Sequence, residues 1–139
     1  MKAIVVDDEK HVREALLKML QIFCPDVEVV GEAESVSTAA KLIQSTTFDL
    51  AFLDIQLKGG TSLELLEMFP DRKFHFIFIT AFDQFAIKAM KFSSLDYLLK
   101  PIEPENLIKA VAKLPQQNPE QYIALMEFLK REKSNTILW

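Results

Sequence analysis

The chain has 139 residues, half of them apolar and 26% charged, a balance that suits one globular domain with a substantial core. Sixteen basic residues against twenty acidic ones leave a net charge of −4, so the chain as a whole is not built to grip nucleic acid by charge. The single cysteine, Cys24, rules out an intramolecular disulfide and a cysteine zinc motif, and no apolar run is long enough to span a bilayer.

The N-terminus lacks the basic and apolar regions of a secretory leader, so the expected compartment is the cytoplasm and no membrane partner is expected. The first element is a short run from Ala3 to Val6, rich in β-branched residues, that meets three consecutive acids, Asp7, Asp8 and Glu9. Val12, Ala15, Leu16, Met19, Leu20 and Phe23 then recur at helical spacing until Pro25-Asp26. A second strand is predicted over Val27–Gly31, and Ser35 is a suitable N-cap for a helix carrying Ala39, Leu42 and Ile43. Leu50 to Leu53 is a third buried strand ended by Asp54. Gly59-Gly60 breaks the chain before a short helix from Leu63 to Phe69, stopped by Pro70. Phe74 to Ile79 is the fourth strand, and a helix over about 83–92 follows. Leu95 to Leu99 is the fifth strand, and Pro104 opens a fifth helix to Leu114. Residues 115–119 form a polar linker. Beyond it Tyr122, Leu125, Met126 and Leu129 mark one face of a sixth helix, either packed, dimerising or connecting.

Five alternations of strand and helix predict an α/β domain with a parallel sheet covered on both faces. The near-continuous apolar strands fit that burial. Such sheets bind ligands at the carboxyl ends of their strands. There the sequence places Asp7 and Asp8 after strand one, Asp54 after strand three, Thr80 after strand four and Lys100 after strand five. Each alone is an ordinary cap or turn residue; their shared edge makes the set specific. Converging carboxylates can hold Mg²⁺, and a carboxylate can be a nucleophile toward phosphorus. Asp54, alone among apolar residues, is the best nucleophile candidate. Lysine adds positive charge, and threonine adds a neutral donor.

The segments "VVDDE", "LAFLDIQL", "FIFITAF" and "LDYLLKPI" resemble, in order and separation, the receiver domain of two-component response regulators, over about residues 2–114. The resemblance implies a flavodoxin-like (βα)5 fold with strand order 2-1-3-4-5. It implies that Asp54 is the phosphoacceptor, that Asp8 ligates Mg²⁺ directly, that Asp7 acts mostly through metal-bound water, and that the Gln56 carbonyl completes the protein's metal ligands. Thr80 and Tyr97 would be the switch pair, and Lys100 the phosphoryl-binding lysine, followed by a cis Lys100-Pro101 bond. The implied donor is a sensor histidine kinase. The implied output face, also a possible homodimer surface, combines the fourth helix, fifth strand and fifth helix. The implied chemistry is Mg²⁺-dependent self-phosphorylation and self-dephosphorylation, not conventional enzyme turnover.

"AFDQFAIKAMKFSSLDYLLKPI" is similar to receivers that precede a LytTR DNA-binding domain. DNA contact would then come only through that output domain, which these 139 residues do not include. The segment 120–139 either leads to it or ends a stand-alone receiver. The loop Gln56-Leu57-Lys58-Gly59-Gly60 lacks the proline common after the phosphoacceptor, and Phe82 is bulky enough to shield an acyl phosphate.

Three other functions remain to be weighed. A haloacid-dehalogenase-type phosphohydrolase wants a second acid where Gln56 stands. A pseudo-receiver acting only by protein contact does not need the complete acid, threonine and lysine set. A flavodoxin-like cofactor carrier needs a phosphate-cradling loop after strand one, where three acids stand instead. His11 is expected to be a surface residue, His75 an outward strand residue and Glu9 a solvated acid.

Overall fold

The computed structural model of the protein describes residues 1–81 and 97–114. Their elements, in chain order, are β1 (Lys2–Val6), α1 (Lys10–Phe23), β2 (Glu28–Ala33), α2 (Val36–Ser45), β3 (Leu50–Asp54), β4 (Gln56–Leu57), β5 (Gly60–Thr61), α3 (Ser62–Glu67), β6 (His75–Thr80), β7 (Tyr97–Leu99) and α4 (Pro104–Ala112). The helix expected over 83–92, Phe82, the linker at 115–119 and the stripe from Tyr122 to Leu129 lie outside the described residues.

Five strands form one parallel sheet in the order β2-β1-β3-β6-β7. Counting only its own members, this is the expected 2-1-3-4-5. Alternation along each strand sends side chains to opposite faces. Ile4, Val6, Ala51, Leu53, Phe76 and Phe78 join the core with Ala39 and Ala40 of α2 and Leu63, Leu65 and Leu66 of α3. Ala3, Val5, Leu50, Phe52, Ile77, Ile79 and Leu98 join the other core with Leu16 and Leu20 of α1 and Leu107 and Ala110 of α4. Every β3 residue is buried, as a central strand covered on both faces requires.

Local chemistry sets the helix ends. Ser35 caps α2 in a reciprocal box: its Oγ accepts from the Thr38 amide at 3.1 Å, and Thr38 Oγ1 accepts from the Ser35 amide at 3.1 Å. Thr61 caps α3 by accepting from the Glu64 amide at 3.3 Å. Pro104 stands in the first turn of α4, where its missing N–H costs no hydrogen bond. Most boundaries fall within a residue or two of expectation, and the larger differences have local causes. β2 runs to Ala33 because its pairing with β1 shifts register between Ala3 and Ile4 and then continues past Gly31. α3 ends at Glu67, before Phe69. Gly59-Gly60 does more than break the chain: with φ of 83° and 150°, these residues turn a small antiparallel hairpin between β4 and β5.

Candidate functional site

The carboxyl ends of β1, β3, β6 and β7 carry Asp7, Asp54, Thr80 and Lys100. The neighbouring strands bring them together. Lys100 follows β7, and its amide donates to the Thr80 carbonyl at 2.9 Å, continuing the β6–β7 ladder. The Lys100-Pro101 bond is cis, as expected. Its ammonium lies 3.0 Å from Asp7 Oδ2, 3.1 Å from Asp54 Oδ2 and 3.3 Å from Glu9 Oε1. Asp7 is fully buried and Asp54 nearly so, while the Lys100 side chain is only 13% exposed. One cation therefore serves two buried carboxylates and a third at the rim.

Asp7 is held from several sides. Its amide donates to the Ala33 carbonyl at 3.0 Å, and its Oδ1 accepts from the Glu9 amide at 2.9 Å. Its Oδ2 is buried, with the Lys100 ammonium at 3.0 Å as its ion-pair partner but no well-aligned hydrogen bond. Carboxylate oxygens of Asp7, Asp8 and Glu9 lie within 4.8 Å of one another. Clustered oxygen donors, one of them a buried carboxylate oxygen without an aligned hydrogen bond, fit a hard divalent cation such as Mg²⁺. Adding Mg²⁺ is expected to raise the melting temperature by mass action. Asp8→Asn should weaken that rise several-fold in a Mg²⁺ titration followed by calorimetry; an unchanged titration would exclude Asp8 as a ligand.

Burial pushes the Asp54 carboxyl up to about 6; Asp7 and, less strongly, Asp8 add to this, while Lys100 pulls it down. For Lys100, burial opposes the charge, but Asp7 and Asp54 outweigh it and hold the ammonium above the usual lysine range. The sign of the Asp54 displacement matters. Between the unfolded value of 3.8 and about 6, the native state binds the extra proton, so this group's contribution to stability falls as pH rises through that window. The displacement is worth at most about 3 kcal/mol, and solvent at the mouth reduces it to about 1–2. Asp54→Asn should therefore stabilise the metal-free protein at pH 8 and lose that advantage as pH falls from 6 to 4. A urea melt at each pH measures it, and an equal gain at pH 4 and 8 would contradict the assignment.

Thr80 ends β6 and is buried beside Asp54's strand, where Asp54 pairs with Ile79 in the ladder. Tyr97 opens β7, half-buried against the core. Gln56 begins the hairpin two residues beyond Asp54. The backbone between them is anchored by Ser62, which is fully buried: its hydroxyl donates to the Asp54 carbonyl and its amide donates to the Ile55 carbonyl at 2.9 Å. His11 is exposed, as expected. Glu9 is not simply solvated. It is 46% exposed but pairs with both Lys100 and His11, at 3.3 Å each. No local sequence pattern marks Arg13, whose guanidinium reaches the Asp7 carbonyl, or Ser62, which looks like an ordinary helix-start residue.

A groove of about 420 Å³ opens beside the site between Val12, Ala15 and Met19 of α1 and the Ala81 and Pro101-Ile102 segments. A larger cleft of about 570 Å³ lies at the opposite end of the sheet, around Phe48 and Phe74, away from this chemistry. Among the described residues no helix is long and apolar enough to cross a membrane.

The family model for the response regulator receiver domain matches residues 3–112. The chain belongs to the response regulator receiver family. The transcriptional regulatory protein BtsR of Escherichia coli K12 is 38% identical over 127 residues, covering 91% of this chain and 53% of BtsR. A response regulatory protein of Vibrio vulnificus is 42% identical over 115 residues, covering 82% of this chain and 47% of its own length. The chain thus spans about half the length of the curated relatives it matches. Among solved structures, the response regulatory domain of mrkE from Klebsiella pneumoniae superposes with a TM-score of 0.70 at 28% identity, over 84% of this chain and 96% of that one. The receiver of AraT from Geobacillus stearothermophilus superposes with a TM-score of 0.67 at 30% identity, over 95% and 97%. The fold is that of these receivers. The chain is the receiver domain of a two-component response regulator, not a conventional enzyme.

Proposed function

We propose that this receiver is a phosphorylation-dependent switch in which Asp54 accepts a phosphoryl group from a sensor histidine kinase. The observation that carries this reading is Lys100, whose ammonium bridges Asp54 to the Asp7 end of the acidic cluster within 3.1 Å of both. An Asp54 carboxylate oxygen attacks phosphorus. The new O–P bond forms as the phosphohistidine N–P bond breaks, and the electron pair leaves with the imidazole, which takes a proton. Asp8, Asp54 and the Gln56 carbonyl would hold Mg²⁺, with Asp7 acting through metal-bound water. When bound, Mg²⁺ supplies charge that neutralises the phosphoryl oxygens. Lys100 binds one of those oxygens, having exchanged its carboxylate partners for a stronger anion.

The added charge, close to −2, draws the Thr80 hydroxyl toward the phosphoryl group. Tyr97, half-buried and paired with Phe78 across the ladder, turns inward as Thr80 moves. The equilibrium between two packings of this edge shifts, and the output face reads the difference. The apolar groove beside Lys100 gives a phosphodonor protein a surface on which to rest. In this reading residues 1–114 make up the receiver, and the segment 120–139 is either a connector to an output domain or the tail of a stand-alone receiver. Control of transcription through a LytTR-type DNA-binding domain is supported by BtsR, whose name describes a transcriptional regulator. A cytoplasmic location goes with those partners.

The test is chemical. With acetyl phosphate and Mg²⁺ the protein should gain a phosphoryl group that hydroxylamine releases, as an acyl phosphate requires. A hydroxylamine-resistant adduct would place it on a hydroxyl side chain and contradict the proposal.

A further inference from the structure

Arg13 is a charged side chain that the proposed phosphoryl chemistry does not use, yet it is only 14% exposed. It stands one turn into α1, and its guanidinium faces two ways. Nη1 donates to the Asp7 backbone carbonyl at 2.6 Å, and Nε donates to Glu32 Oε1 at 3.2 Å. Glu32 belongs to β2, and its neighbour Ala33 supplies the carbonyl that receives the Asp7 amide. Both polar groups of the Asp7 peptide backbone are therefore tied: the amide to β2, the carbonyl to α1. The same guanidinium joins those two elements to each other.

The placement has a geometric consequence. β1 ends at Val6, so the Asp7 carbonyl lies beyond the last residue that the sheet ladder orders. The Asp7 side chain already accepts from the Glu9 amide at 2.9 Å. With the Arg13 bond in place, the turn from Asp7 to Glu9 is pinned at its first carbonyl and its last amide. That turn carries the three carboxylates clustered within 4.8 Å. α1 begins directly after it, without a side-chain cap at Glu9, so no capping hydrogen bond does this work.

We infer that Arg13 is a positioning residue for the acidic site: its guanidinium straps the Asp7 carbonyl to Glu32 and so sets the backbone path that makes the carboxylates of Asp7 and Asp8 converge. The inference rests on the reading of that cluster as a divalent-cation site. A planar two-donor fork is needed because the two acceptors belong to different elements. Lysine keeps the charge but lacks the rigid fork whose two separate nitrogens, Nη1 and Nε, reach the two acceptors here. The role is distinct from electrostatic balance. A guanidinium acting only by charge would repel an incoming cation, and removing it would tighten cation binding.

Arg13→Lys, Arg13→Gln and Glu32→Gln separate these possibilities. Two measurements are made on the full chain: the Mg²⁺ dissociation constant by calorimetry, and metal-free amide hydrogen exchange at Asp7, Asp8 and Glu9. The strap predicts that Arg13→Lys and Arg13→Gln weaken Mg²⁺ binding about 5- to 20-fold. Glu32→Gln should weaken it about 2- to 5-fold. Exchange at the Asp7 and Glu9 amides should quicken at least 10-fold in both Arg13 variants, while amides in the middle of α1 stay protected. Tighter Mg²⁺ binding in Arg13→Gln with wild-type binding in Arg13→Lys would overturn the strap in favour of charge alone. A lower melting temperature with unchanged Mg²⁺ affinity and unchanged exchange would overturn it in favour of general packing. If the wild-type protein binds no Mg²⁺, the cation-site reading fails and the positioning role with it, whereas a wild type that binds beside variants that bind equally well sinks the strap alone. Should Arg13→Gln fail to fold, Arg13→Lys and Glu32→Gln still decide the question.

Discussion

Lys100→Met is expected to destabilise the metal-free protein by about 2–4 kcal/mol at pH 8, one of the largest effects any single charge here can have. The reason is asymmetry. Asp7 is fully buried and Asp54 nearly so, and the ammonium between them is their shared partner at 3.0 and 3.1 Å. Methionine fills much of the same volume but leaves two carboxylates facing each other in a site that water barely enters. The loss should depend on pH in a defined direction. Lys100 is one of the causes that lower the Asp54 pKa, so its removal lifts that carboxyl above about 6. Protonation of Asp54 then relieves the repulsion, and the deficit should shrink as pH falls through the raised value. The contribution of Lys100 in the wild type is present below the unfolded lysine value and is lost only in strong alkali, because its folded pKa is raised. Urea denaturation in a chelator at pH 5 and pH 8 measures both effects. Lys100→Arg should recover much of the stability. A loss below about 0.5 kcal/mol at pH 8 would mean that the acids are not held apart by this lysine.

Phe52→Ala should cost about 3–5 kcal/mol and threaten folding outright, since whole domains are stable by only about 5–15. Phe52 lies in the middle of β3, the central strand, opposite Val5 of β1 and Ile77 of β6. Its side chain is fully buried in the core shared with Leu16 and Leu20 of α1 and Leu107 of α4. A truncation leaves a cavity at the junction of sheet and both helices, and all three elements carry or flank site residues. A subtler consequence follows for the site. Asp54 is two residues further along the same strand, and the α1 N-terminus positions Glu9 and Arg13. Partial collapse of that core should therefore weaken Mg²⁺ binding along with stability, whereas Leu66→Ala on the opposite face, in α3, should cost stability with little change in Mg²⁺ affinity. Thermal melts with and without Mg²⁺ compare the two.

The sheet was readable because its strands are buried on both faces and so announce themselves as apolar runs, with Leu50–Leu53 the clearest case. Ser35 and Pro104 were readable as helix starts because their chemistry is local. The site's edge was readable for the same reason: each of Asp7, Asp54, Thr80 and Lys100 follows its own run directly. Placement and chemistry alone point to a Mg²⁺ site and to Asp54 as nucleophile, whereas the division of roles among Asp7, Asp8, Gln56, Thr80 and Tyr97 comes from the family resemblance. What pattern could not supply were contacts between distant residues. The Lys100–Glu9 pair joins residues 91 apart, and the Arg13–Glu32 pair joins residues 19 apart. Neither leaves a local trace. The hairpin after Asp54 was hidden because Gly59-Gly60 signals a turn without saying whether two-residue strands flank it. The end of β2 was misplaced because a register shift against β1, which only the partner strand reveals, carries the strand past Gly31.

Asp54 is proposed to take a phosphoryl group in a Mg²⁺-dependent reaction. The most direct test is the intact mass of the protein after incubation with acetyl phosphate. One added phosphoryl group should appear with Mg²⁺, vanish with a chelator and be absent from Asp54→Asn under either condition. An adduct of the same size on a folded Asp54→Asn protein, or no adduct on a wild type shown to bind Mg²⁺, would contradict the account.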